Sequence, residues 1–93
     1  MNYELSEGIV FTKICGVYFL IPNRQAAEEH PQIHQLSLFG AALMENIVSK
    51  KPIEDVVKAY KILTRKTEEE SQKKISEMLE DFLEKGLIKE TVE

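Results

Sequence analysis

Cysteine is nearly absent from this 93-residue chain: Cys15 stands alone. No disulfide within the chain can staple the fold, and such a sequence suits a reducing cytoplasm. No neighbouring motif marks Cys15 as an activated thiolate, so it reads as a small turn or packing residue. Long apolar runs are missing too. None approaches the ~20 residues of a membrane helix, and the opening MNYELSEG lacks the basic-then-apolar plan of a signal peptide. Membrane insertion and export are therefore not expected. The chain has no repeat, no low-complexity stretch, no glycine-rich phosphate loop and no G-x-S-x-G elbow, which leaves nucleotide and serine-nucleophile chemistry without support.

What is present is ordinary for a globular protein, 43% apolar and 30% charged residues. At this length one domain spans residues 1–93, with residues 1–8 and 90–93 expected to be loose. Folding removes only about 60–65% of such a chain's surface from water, so the core is thin and an enclosed catalytic cavity is not expected. The net charge of −4 opposes generic polyanion binding. That charge is uneven: residues 50–66 hold six cations against Glu54 and Asp55, whereas residues 68–84 hold seven carboxylates against Lys73 and Lys74.

Residues 9–21, IVFTKICGVYFLI, predict a hairpin turning at Cys15-Gly16. With Ile14 opposite Val17, alternation gathers Val10, Thr12, Ile14, Val17, Phe19 and Ile21 on one face, the expected core face. The other face, with Phe11, Lys13, Tyr18 and Leu20, is too apolar to face only solvent. NRQAAEEHP, residues 23–31, has no clean period and reads as a connecting loop. Ile33–Leu36 then predicts a short third strand. Ser37 is placed to cap a first helix built on Phe39, Leu43 and Ile47, with Gly40 inside it suggesting close backbone packing. Pro52 opens a second helix with Ile53, Val56, Val57 and Tyr60 on its buried stripe. Thr67-Glu68-Glu69-Glu70 matches a capping box for a third, whose stripe is Ile75, Met78, Leu79, Phe82 and Leu83 and which stops at Gly86. Leu87-Ile88 is expected to fold back onto the core. The fold class is α+β, winged-helix-like: a three-stranded antiparallel sheet followed by a three-helix bundle.

Few residues invite chemistry. His30 and His34 would pair on a helix, but Pro31 disfavours one, and along a strand four residues span about 13 Å, too far for one ion. Glu28-Glu29-His30 places acid and base together without a shielding pocket, so no enzyme, no metal and no cofactor is expected. A DNA-reading third helix would present Arg, Lys, Asn or Gln, whereas this one presents Glu77, Glu80, Asp81 and Glu84, which repel phosphate. Nucleic acid is not the expected partner, although the basic 50–66 segment keeps a winged-helix-like DNA-binding regulator as an alternative reading.

Leu36-Ser37, Gly40 and Met44, Pro52-Ile53-Glu54-Asp55-Val56-Val57, and FLEKGLI at 82–88 together give a chain that resembles the PqqD-like family, the pyrroloquinoline quinone biosynthesis protein D group, whose fold is also called the RiPP recognition element. Ser37 stands where the family usually has Asn, and Met44 where Trp is common. The resemblance implies a non-catalytic peptide chaperone that binds the leader of a precursor peptide and presents it to a modifying enzyme, often a radical SAM protein. It implies a leader held as an added strand on Gln32, Ile33, His34, Gln35 and Leu36, beside the third helix. On that helix either Lys74, Met78, Asp81 and Lys85 or the opposite flank, Ser76, Glu80, Leu83 and Leu87, would face the peptide. Residues 32–36 contain no proline and no lysine, arginine or carboxylate to blunt the strand's edge, which invites pairing. Alternatively the edge is covered by residues 23–30 or a second copy of the chain, giving a dimeric adaptor without a peptide ligand.

Overall fold

The computed structural model describes residues 2–23, 26–29 and 32–91. In order along the chain, β1 (Asn2–Leu5), β2 (Ile9–Ile14) and β3 (Val17–Pro22) precede one helical turn, α1 (Ala26–Glu29), and the short β4 (His34–Gln35). Three helices follow, α2 (Leu38–Val48), α3 (Ile53–Thr64) and α4 (Glu68–Glu84), and the described chain closes with β5 (Ile88–Thr91). The fold is α+β: β2, β3 and β4 form an antiparallel sheet in that order, and β1 pairs with β5 in a second, two-stranded sheet.

The β2–β3 hairpin has the expected register, Ile14 opposite Val17. Cys15 and Gly16 both take positive φ, 50° and 80°, the backbone that lets a two-residue turn follow the strands' right-handed twist. The expected core face, however, is reversed. Leu20 is fully buried and Ile9 nearly so, and Phe11 packs against the core, whereas Val10 and Ile14 are each 49% exposed. Alternation reduces the choice of face to one binary decision. The inner face also carries Lys13, which lies at the exposed hairpin end, its Nζ 5.3 Å from the centre of the Tyr18 ring, which stacks on Phe11. The charge therefore never enters the core.

Two further differences concern segments with weak local signals. Residues 26–29 form a helical turn where the sequence suggests only a loop; His30 and Pro31 lie outside the described residues. The ends, expected to be loose, are tied together: Asn2 opposes Thr91 and Leu5 opposes Ile88, with Glu4 and Lys89 paired at 3.1 Å. Leu87 and Ile88 fold back onto the core as expected, both almost fully buried.

Each helix buries the stripe its spacing sets out. α2 contributes Leu43, Met44 and Ile47, α3 Val56 and Tyr60, and α4 Ile75, Leu79 and Phe82. Phe39 meets Tyr60 edge-to-face at 4.8 Å, joining α2 to α3, a favoured aromatic geometry. α4 ends in a Schellman-type cap: Gly86 has φ 74°, its N–H donates to Leu83 O, and the Leu87 N–H donates to Phe82 O. That cap turns the chain back and delivers Leu87 into the core.

The start of α4 yields a direct test. The Glu70 N–H donates to Thr67 Oγ1 at 3.2 Å, and the Thr67 N–H donates to Glu70 Oε1 at 3.3 Å, the reciprocal capping box. The hydrogen bond from the Thr67 backbone, then that from its hydroxyl, lowers the Glu70 carboxyl below its ordinary value. A carboxyl lowered on folding contributes stability above its unfolded pKa and loses it as pH falls through the folded one. Thr67→Ala is expected to cost about 1 kcal/mol. Urea titrations of both proteins at neutral and at acidic pH will check this, the difference shrinking at the acidic end.

Candidate functional site

The site begins with the shortest strand. Phe19 opposes Gln35 and Leu20 opposes His34, and the Leu36 N–H donates to Tyr18 O at 2.9 Å. In an antiparallel ladder the residues that bond to one neighbour alternate with residues whose N–H and C=O point the other way. His34 and Leu36 are therefore turned toward β3, and the backbone donor and acceptor of Gln35 point outward. β4 is the edge of its sheet, so among the described residues no strand takes up that pair.

Alongside the edge runs an open groove of about 240 Å³. One wall is His34, Gln35 and Leu36; the other is Met78, Asp81 and Lys85 of α4. Ser37, Gly40, Phe82 and Leu87 complete the lining between them. Helical spacing places Met78, Asp81, Phe82 and Lys85 on one face of α4, and the Schellman turn brings Leu87 back beneath them.

Gly40 keeps the groove open. A Cβ built there would lie 3.1 Å from Ser37 Oγ, 3.6 Å from Met78 Cε and 3.7 Å from Phe82 Cζ. The same Ser37 Oγ accepts from the Gly40 N–H at 3.1 Å, so the helix cap is held where a larger residue would press on it. At the rim, Lys85 Nζ and Asp81 Oδ2 pair at 2.9 Å with both side chains about half exposed. An exposed pair of this kind adds only about 0–1 kcal/mol to stability, so its groups can exchange one another for a ligand's charges at small cost.

The structure thus brings together His34, Gln35, Leu36, Met78, Asp81 and Lys85. Gln32 and Ile33 are exposed just before β4 and do not line the groove, nor does Lys74, one turn before Met78. Of the opposite flank, Ser76, Glu80 and Leu83 lie outside the groove, whereas Leu87 joins it. Sequence reasoning missed Ser37 and Phe82 as lining residues, having given one to the cap and the other to the core. Each does both, and only the meeting of β4 and α4 at one groove reveals it.

A larger open hollow, about 830 Å³, lies between β1 and the α2–α3 turn, walled by Tyr3, Asn46, Lys50, Lys51 and Ile53 among others. Its titratable lining residues are Tyr3, Lys50, Lys51 and Glu54. Among the described residues no three His, Cys, Asp or Glu side chains gather as a metal site, and no helix is long and apolar enough to cross a membrane.

No protein-family model matches the chain, and neither does any curated protein. Among solved structures, that of TbiB1 in complex with the TbiA(beta) leader peptide is similar over 97% of this chain and 99% of that one, with a TM-score of 0.74 at 14% identity. At that identity the likeness shows a shared fold.

Proposed function

We propose that the protein recognises the leader of a precursor peptide and presents it, without catalysis of its own, to a separate modifying enzyme. The leader adds as a strand to β4 and lies in the groove against Met78, Asp81 and Lys85, with Gln32, Ile33 and Lys74 reached where the peptide runs beyond the groove's ends. The observation that carries this reading is the outward-facing N–H and C=O of Gln35 at the edge of an open groove. Main-chain bonds give such a complex its affinity, and the alternate side chains entering the groove give its specificity. No cofactor takes part in strand addition. The reading is supported by the common fold with a protein whose solved complex holds a leader peptide. A radical SAM protein is the modifying enzyme suggested by the PqqD-like resemblance, and the cytoplasm is where the partners would meet.

A nucleic-acid reading makes the opposite electrostatic forecast. Glu77, Glu80, Asp81 and Glu84 are exposed along α4, so a duplex would have to rest on the basic 50–66 segment and lose roughly 10³-fold or more in affinity between about 50 and 200 mM salt if six phosphates were contacted. Fluorescence anisotropy with a labelled leader peptide, taken from a precursor encoded beside this protein's gene, is expected to show binding that changes less than about tenfold over that range. Binding of a DNA duplex with a steep salt slope, and none of any leader, would overturn the proposal.

A further inference from the structure

The last turns of α3 carry a second surface, which takes no part in the peptide groove. Ile62 and Leu63 are 74% and 68% exposed there and Leu38 is 75% exposed, the three most exposed large apolar side chains among the described residues. The Phe39–Tyr60 contact sets the start of α2 beside the end of α3, so all three stand at one end of the helix pair. Exposed aliphatics scattered singly are common, but a group of them rimmed by polar residues marks an interaction surface. Here the rim is cationic. Lys58, Lys61, Arg65 and Lys66 are all exposed, and no carboxylate occurs between Asp55 and Glu68. Among the described residues Lys58, Lys61 and Arg65 form no ion pair. Arg65 also ends the helix at φ 56°, a backbone in which glycine is the least strained residue. A cation therefore holds a turn that an uncharged residue would make at lower cost.

We propose that this end of α3 docks the modifying enzyme, through an acidic surface of that enzyme with an apolar hollow that receives Ile62 and Leu63. The inference rests on the presentation reading above and names where the enzyme is held. Protein interfaces have this plan, an apolar centre whose burial supplies affinity inside a charged rim that steers approach. Charge complementarity sets the chemistry of the occupant, since cations without an ion-pair partner select carboxylates opposite them. Two other anionic occupants fit less well. A nucleic-acid duplex offers phosphates to the rim but leaves the exposed aliphatics without an apolar partner. An anionic bilayer presents an extended plane, which would also meet Glu68, Glu69 and Glu70, the exposed carboxylates directly after the patch, on a chain of net charge −4. A protein surface can confine its carboxylates to the patch. No residue of α3 lines the peptide groove, so enzyme and leader can be held at the same time, as presentation requires.

Biolayer interferometry tests this, with the full chain immobilised and the modifying enzyme encoded beside its gene as analyte. The enzyme is expected to bind whether or not leader peptide fills the groove. Ile62→Ser should weaken that binding by more than about tenfold, mainly through faster dissociation, and Lys58→Glu combined with Lys61→Glu by a similar factor, mainly through slower association. Leader affinity should be unchanged in both. Arg65→Gly separates docking from folding: it should weaken enzyme binding while the thermal midpoint stays level or rises, because glycine relieves the left-handed backbone. No binding of the enzyme, or undiminished binding by both patch variants, would overturn the proposal; in the first case phosphatidylglycerol vesicles and a DNA duplex, run as analytes on the same surface, identify the rival occupant. A leader that binds while the patch variants keep full enzyme affinity would strike this inference alone. Enzyme docking that depends on the patch, in a protein that binds no leader, would leave it standing and remove the presentation reading.

Discussion

Leu20→Ala is expected to remove about 3–4 kcal/mol of unfolding free energy, while Val10→Ala, on the opposite face of the same hairpin, removes less than about 1. Leu20 has no exposed surface, and the cluster around it includes Ile9, Leu43, Met44 and Leu87. Truncation there loses both the transfer free energy of the side chain and the contacts across the cavity left behind, because neighbours drawn from a sheet, a helix and a back-folded turn cannot all close in. Val10 is half exposed, and its truncation exchanges one solvated surface for another. Against the roughly 5–15 kcal/mol that holds a small domain folded, the first loss is large. Urea titrations followed by far-ultraviolet circular dichroism will rank the two. Equal losses, or a larger one for Val10, would contradict the assignment of the inner face.

Gln35→Pro is expected to weaken leader binding by about 2–3 kcal/mol, or roughly 30- to 150-fold, with the fold intact. Proline removes a backbone donor that points off the sheet edge and leaves the peptide's carbonyl opposite it without a partner. Edge strands tolerate proline when the missing N–H faced outward. His34→Pro is the matched contrast: the ladder turns His34 toward Leu20 of β3, so the same chemistry one residue earlier breaks a bond inside the sheet and is expected to lower stability. Ile33→Pro, next in the outward-facing alternation, should resemble Gln35→Pro. Isothermal titration calorimetry with a leader peptide, beside a thermal melt of each variant, separates the two effects. Unchanged affinity in a folded Gln35→Pro protein would remove strand addition from the account.

Much of this architecture was legible in the sequence because it is written locally. Ser37, Thr67 with Glu70, and Gly86 mark helix ends through bonds that span three to five residues, and the Ile14–Val17 register follows from a two-residue turn. The inner face of the hairpin was misread because both faces are apolar and the deciding fact, which one meets Leu43, Met44 and Leu87, is not local. β1 and β5 escaped for a related reason. NYEL and IKET are short and half polar, and each becomes a strand only by meeting the other from the far end of the chain. The groove was half visible: the open strand edge could be read from residues 32–36, but the choice of the Met78–Asp81–Lys85 flank depends on how α4 rotates against β4, and Gly40 gains its meaning only once Phe82 and Met78 are set over it.

The central claim is that a peptide joins the sheet at β4. Intermolecular nuclear Overhauser effects between a ¹³C-labelled leader peptide and the ¹⁵N-labelled protein test it most directly, since a paired strand lies about 4.8 Å away, within reach of backbone protons. Cross-peaks are expected from peptide backbone protons to His34, Gln35 and Leu36, and from alternate peptide side chains to Met78 and Phe82. A tightly bound leader whose cross-peaks fall instead on α3, on β1 and β5, or on the outer face of β2 and β3 would contradict it.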